Sequence, residues 1–217
     1  MTDTQIIAIQ VDGKEIQVEE GTTLLKACLD NDIYIPNLCY LEGMERPPAS
    51  CRLCFVALEN RKDPVPSCTI KVEEGMVIRT DTDEVRQLQR SALQFLLSVH
   101  KVDCAHCPAN RNCGLQDIAK FLKTGLKPKH LQLHLKEVEI VDTHPVLSYY
   151  PNRCVLCGRC IHVCKNEDGQ AFLTFARRGL DTIISLFGQG ETNPNQCQDC
   201  RACVEICPVS ALLLKEK

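Results

Sequence analysis

The run Cys154-Val155-Leu156-Cys157-Gly158-Arg159-Cys160-Ile161-His162-Val163-Cys164 decides how this chain is read. Its cysteine spacing returns at Cys197, Cys200, Cys203 and Cys207, followed at once by Pro208. Three thiolates separated by two residues each let one tight loop wrap three corners of an iron-sulfur cube. A fourth, after three more residues, starts a helix directed away from it. In the bacterial two-cluster pattern that this spacing matches, each run lends its last thiolate to the other's cube. One [4Fe-4S] cluster is therefore expected on Cys154, Cys157, Cys160 and Cys207, and a second on Cys197, Cys200, Cys203 and Cys164. Two zinc sites are the alternative. Structural zinc takes four ligands, usually as two separated pairs, and a triple CxxCxxC departs from that arrangement.

The rest of the composition limits what else the chain can be. Its 217 residues, 44% apolar and 24% charged, have the balance of a soluble globular protein with one large or two to three small domains. Sixteen cysteines would suggest disulfides in a short secreted chain. The sequence opens polar and strand-like, however, without the charged and apolar regions of a secretory signal, so a cytoplasmic location is expected. No apolar run nears the ~20 residues that cross a bilayer; Leu93 to Val99 is interrupted by Gln94 and Ser98. A net charge of -3, 5% aromatics and no basic cluster argue against nucleic acid as the main partner. No glycine-rich nucleotide loop, paired catalytic carboxylates or nucleophile-base pair is present, so the chain reads as wiring without a reaction centre.

Residues 1–80 open with a hairpin, Ile7, Ile9 and Val11 leading through Asp12-Gly13 to Ile16 and Val18. A short helix follows over Leu24, Leu25, Ala27, Cys28 and Leu29, with Thr22 as its expected N-cap. Strand, strand and helix read as a β-grasp. Cys39, Cys51, Cys54 and Cys68 then lie around a loop containing Gly43, Pro47 and Pro48 and a strand expected over Leu53 to Leu58. Four thiolates with a CxxC core suit a [2Fe-2S] cluster, as in plant-type ferredoxins, although the spacing before this CxxC is longer than theirs. Zinc is again the alternative. Cys28 falls on the apolar helix face and reads as a small buried hydrophobe.

Residues 81–145 begin with a helix capped by Asp81 or Asp83, on which Val85, Leu88, Ala92, Phe95, Leu96 and Val99 make one stripe. Its end delivers His100, which precedes Cys104, Cys107 and Cys113. Imidazole replaces thiolate on iron in some centres, so His100 with the three cysteines is the expected ligand set of a [4Fe-4S] cluster. His106, inside the CxxC, is the competing donor, and its position points its ring elsewhere. Cys3His is also a zinc set, and this segment by itself leaves zinc open. Leu115 to Leu122 reads as a short helix, and Leu131, Leu133 and Leu135 alternate like a strand. His130 and His134 read as structural.

Residues 146–217 hold the two quartets. The stretch between them carries Phe172, Leu173 and Phe175, then Arg178-Gly179, then Ile183, Ile184, Leu186 and Phe187, the pattern of an inserted hairpin. Such a hairpin either covers a cluster or docks on a partner. Val209, Ala211, Leu212 and Leu213 are expected to keep water off the cubes. The whole is an α+β chain of three parts: an N-terminal β-grasp [2Fe-2S] ferredoxin domain, a small helical His/Cys cluster domain, and a C-terminal bacterial two-[4Fe-4S] ferredoxin-like domain.

In this order the motifs resemble a known architecture, carried by Asn37-Leu38-Cys39-Tyr40, Cys51-Arg52-Leu53-Cys54, His100-Lys101-Val102-Asp103-Cys104 and Cys157-Gly158-Arg159-Cys160. The chain is similar to the N-terminal iron-sulfur region of the large peripheral-arm subunit of NADH:quinone oxidoreductase. It resembles still more the small diaphorase subunit of NAD-reducing hydrogenases and related formate dehydrogenases, and the N-terminal half of multi-cluster [FeFe] hydrogenases. The resemblance implies one [2Fe-2S] and three [4Fe-4S] clusters, fed by a flavoprotein subunit that oxidises NAD(P)H. It also implies a catalytic hydrogenase or formate dehydrogenase subunit as partner, with a ferredoxin as a further one. Ending at Lys217, the sequence lacks the molybdopterin-type and hydrogenase active-site domains, so catalysis is expected in other subunits. A free-standing polyferredoxin and a zinc-stabilised scaffold are the competing readings.

Overall fold

The computed structural model describes residues 5–44, 46–164, 172–186 and 200–215. The chain divides into two compact units, Met1–Leu93 with Phe121–Thr124, and Gln94–Lys120 with Gly125–Lys217.

In the first unit β1 (Ile6–Val11) and β2 (Lys14–Glu19) form an antiparallel hairpin that sets Ile9 opposite Ile16. Asp12 and Gly13 both take left-handed backbone, φ 51° and 82°, as a two-residue type I′ turn requires. The sheet is completed by β3 (Phe55–Leu58), β4 (Val65–Pro66) and β5 (Val77–Arg79) in the order β2-β1-β5-β3-β4. Only the β1–β5 pairing among these is parallel. Alternation along β1 and β2 sends Ile7, Ile9, Val11, Ile16 and Val18 into a core that α1 (Leu24–Asp30) joins with Leu24, Leu25, Ala27 and Cys28.

The cap of α1 is Thr23, whose Oγ1 accepts from Lys26 N at 3.4 Å, and not Thr22. Thr22 closes the turn after β2, its N–H donating to Glu19 O and its carbonyl accepting from Val72 N. The strand expected from Leu53 starts at Phe55, because Arg52 is left-handed (φ 53°) and the Cys54 carbonyl accepts from both N and Oγ of Ser67.

Helix α2 (Asp83–Ser98) is capped by Thr82, whose Oγ1 accepts from Val85 N at 3.2 Å, while Asp81 pairs instead with Arg86. Its buried face runs through Val85, Gln89, Ala92, Leu93 and Leu97, and Phe95 is 64% exposed. Gln89 occupies a core position that the apolar count missed, satisfied by donating Nε2–H to Phe55 O at 3.0 Å.

In the second unit α3 (Gly114–Phe121) buries Leu115, Ile118 and Ala119. Two small antiparallel pairs follow: β6 (Leu147–Tyr149) with β9 (Leu212–Leu214), and β7 (Thr174–Ala176) with β8 (Ile183–Ser185). The second pair is the inserted hairpin; Phe187 of its expected pattern lies outside the described residues. No strand forms over Leu131–Leu135, where Leu133 and Leu135 are exposed. Alternation marks a half-buried strand only where a neighbouring chain supplies the ladder. Short helices α4 (Arg159–Val163) and α5 (Ala202–Glu205) complete the unit.

Candidate metal centres

Cys39, Cys51, Cys54 and Cys68 are all buried in the first unit. Cys54 immediately precedes β3, and Cys68 sits in the single 3-10 turn Ser67–Thr69 after β4, so the two strands bring these sulfurs together. Cys39 Sγ lies 3.4 Å from Cys51 Sγ. The hydrogen bond with Cys51 pulls the Cys39 thiol down to about 6, and that with Cys68 pulls Cys54 down to about 7. Their partners move upward for the same reason. Cys28 is apart from this set, its thiol pushed up to about 12 by burial.

In the second unit His100 follows α2 and is buried. Its Nδ1 lies 2.9 Å from Arg153 O, and burial holds the imidazole below its ordinary range, hence neutral. A neutral ring that gives its Nδ1–H to a carbonyl keeps its lone pair on Nε2, a donor that could hold a metal. Cys104 opens a 3-10 turn, Cys107 closes it, and Cys113 immediately precedes α3, its carbonyl accepting from Asp117 N at 3.0 Å. Burial raises Cys113, and the nearby Cys107 and Cys104 sulfurs add to the effect. His106 is turned outward, its side chain 82% exposed and its Nδ1 held by the Asp103 carboxylate at 2.9 Å. His130 and His134 are exposed.

The two quartets share one backbone device. Gly158 (φ 75°) follows the second cysteine of its run and caps α4, which carries Cys160. Arg201 (φ 52°) stands at the same place in the other run and caps α5, which carries Cys203. Cys154, Cys157, Cys160 and Cys207 line one cavity, walled also by Tyr149, Ile184, Val209 and Leu212. Cys164, Cys200 and Cys203 line a second cavity with His144, Leu173 and Leu186. Cys197 lies outside the described residues.

Burial pushes Cys157 up to about 12 and raises Cys154 and Cys160 as well, each further raised by neighbouring thiols. Such sulfurs become thiolates when a cation shares their charge. Leu156 N donates to Cys154 Sγ at 3.4 Å, and Ala211 N to Cys207 Sγ at 3.2 Å. Arg159 Nε and Arg153 Nη1 are buried without a hydrogen-bond partner. Arg159 adjoins Cys160, and its charge acts on the Cys157 sulfur. A cavity lined by four cysteine sulfurs, two of them accepting main-chain N–H groups, fits an anionic, sulfide-bearing cluster. Among the described residues no three His, Cys, Asp or Glu side chains close around one ion.

Two residues of these cavities escaped the sequence reading. His144 is buried, and its Nδ1 accepts from Val146 N and Leu147 N at 3.2 and 3.1 Å. Tyr149 is buried beside Cys154. Neither stands in a cysteine motif, and only β6 brings them to the cavities. The inserted hairpin lines both, with Ile184 in one and Leu173 and Leu186 in the other.

Three family models match the chain. A 2Fe-2S iron-sulfur cluster binding domain covers residues 4–83, an NADH-ubiquinone oxidoreductase-G iron-sulfur binding region covers 89–125, and a 4Fe-4S dicluster domain covers 147–208. The NADH-ubiquinone oxidoreductase 75 kDa subunit of Reclinomonas americana is 32% identical over 210 residues, which are 97% of this chain and 30% of that one. NADP-reducing hydrogenase subunit HndD of Solidesulfovibrio fructosivorans is 31% identical over 221 residues, 97% of this chain and 36% of that one. A chain in the crystal structure of an NAD+-reducing [NiFe]-hydrogenase in the H2-reduced state superposes with a TM-score of 0.82 at 26% identity, covering 96% of this chain and 87% of that one. Along nearly its whole length the chain is similar to these oxidoreductase and hydrogenase chains, and it matches the three iron-sulfur binding regions in order.

The chain spans between 24% and 36% of the length of the curated relatives it matches. Its cofactors are iron-sulfur clusters, bound by one 2Fe-2S domain and by 4Fe-4S binding domains. No helix of the described residues is long and apolar enough to cross a membrane.

Proposed function

We propose that this chain is the electron relay of an NAD(P)-linked oxidoreductase, passing single electrons between a flavoprotein subunit that oxidises NAD(P)H and a catalytic subunit of hydrogenase or formate dehydrogenase type. Residues 1–80 form a β-grasp ferredoxin-type domain holding [2Fe-2S] on Cys39, Cys51, Cys54 and Cys68. Residues 81–145 hold [4Fe-4S] on His100, Cys104, Cys107 and Cys113. Residues 146–217 hold two more, on Cys154, Cys157, Cys160 and Cys207 and on Cys197, Cys200, Cys203 and Cys164. The observation that carries this reading is the cavity in which Cys207 joins the three cysteines of the other run. The partner types follow from relatives named as an NADP-reducing hydrogenase and an NAD+-reducing [NiFe]-hydrogenase.

The bound clusters supply one-electron oxidation and reduction. The chain's own residues hold them and set their surroundings. Val209, Ala211 and Leu212 exclude water from the cavity. Neutral His100 in place of a thiolate removes one negative charge from its cluster's ligand set. The chain has no substrate site of its own and works in the cytoplasm, where thiols stay reduced.

The test is anaerobic purification of the native complex with metal analysis and identification of the co-purifying subunits. Roughly fourteen irons per chain are expected from one [2Fe-2S] and three [4Fe-4S] clusters. A dithionite-bleachable brown colour and a flavoprotein partner should accompany them. Stoichiometric zinc, or a chain that purifies alone, contradicts the reading.

A further inference from the structure

We propose that the Tyr149 hydroxyl donates a hydrogen bond to Cys154 Sγ and thereby raises the reduction potential of the cluster on Cys154, Cys157, Cys160 and Cys207. This rests on the cluster reading above. Tyr149 ends β6, is fully buried, and walls the same cavity as Cys154. Ile184 N, on β8 of the inserted hairpin, donates to Tyr149 Oη at 3.2 Å. A phenol oxygen that already accepts an amide proton has its one O–H proton to give elsewhere. The side-chain acceptors of the same cavity are the four cysteine sulfurs, and the one with which the Tyr149 hydroxyl interacts is that of Cys154. Apart from the four cysteines and Gly158, the rest of this wall is Val155, Ile184, Val209, Ala211 and Leu212, which accept nothing through their side chains. An undonated hydroxyl buried there is costly, about 1–3 kcal/mol.

A donor aimed at a ligand sulfur draws electron density from it, and the more negative, reduced cluster gains more from this than the oxidised one. The potential therefore rises when the bond is present. The Ile184 amide makes the inserted hairpin part of the device, since it fixes which way the hydroxyl faces. That hairpin is packed close by: a methyl group added at Gly158 would meet the Phe175 ring at 3.6 Å.

Tyr149→Phe removes only the hydroxyl and keeps the ring that fills the wall. In the reconstituted full-length chain it should keep the wild-type iron content. The potential of this one cluster should fall in an EPR-monitored titration while the others stay unmoved. A proton coupling exchangeable in D2O, seen by pulsed EPR on this cluster, should disappear. Cys154→Ser identifies which signal belongs to the cluster. If Cys154→Ser changes no [4Fe-4S] signal, the cluster reading itself is wrong and the proposal falls with it. If that signal is assigned and Tyr149→Phe leaves its potential unchanged, the cluster stands and the donor role of Tyr149 is overturned.

Discussion

His100 Nδ1 lies 2.9 Å from the main-chain oxygen of Arg153, so the residue before Cys154 fixes the ring that precedes Cys104. This bond selects the tautomer with a free Nε2 lone pair, and His100→Ala should cost its cluster one iron or the whole cube. His100→Cys should keep the iron and lower that cluster's potential, because a thiolate adds negative charge to the ligand set. His106→Ala should do neither, since that ring is already turned to Asp103 and solvent. Iron analysis and redox titration of the three variants check this, and a full iron complement in His100→Ala would demand another donor.

Cys28→Ser should leave every cluster in place. Its thiol is 0% exposed within the α1 core, and burial keeps it protonated at neutral pH. Burying a hydroxyl there should lower stability by roughly 1–3 kcal/mol, visible as a lower denaturation midpoint at unchanged iron content. Loss of iron would place Cys28 among the ligands.

Gly158→Ala should destabilise the loop that wraps Cys154, Cys157 and Cys160. At φ 75° a Cβ costs roughly 1–2 kcal/mol, and the backbone conformation alone is the cause, since the ring of Phe175 at 3.6 Å would be in ordinary contact with it. Slower cluster incorporation during reconstitution, with the other clusters loading normally, is the expected result. Equal loading rates at all sites would separate the left-handed turn from cluster assembly.

The hairpin of β1 and β2 was legible in Asp12-Gly13 because turn type and strand alternation are both local. The meeting of Cys154, Cys157 and Cys160 with Cys207 in one cavity was legible because cysteine spacing is a covalent property of the chain. What was not legible depends on distant partners. Gln89 is buried on α2 only because Phe55 O waits for its amide, so a count of apolar residues placed Phe95 in the core instead. Leu131, Leu133 and Leu135 alternate without a ladder to join. Tyr149 and His144 reach the cavities through β6, whose partner β9 is contributed by the last described residues.

The central claim is that the two quartets exchange their last cysteines, and Cys207→Ala tests it most directly. Cys207 lines a cavity with Cys154, Cys157 and Cys160, while Cys203 of its own run lines the other with Cys164. EPR and Mössbauer spectra of the reconstituted variant should show damage to the cluster on Cys154, Cys157 and Cys160, the same signal that Cys154→Ser removes. The signal removed by Cys200→Ser should persist. If Cys207→Ala instead abolishes the signal that depends on Cys200 and spares the one that depends on Cys154, each run closes its own cube and the exchange does not occur.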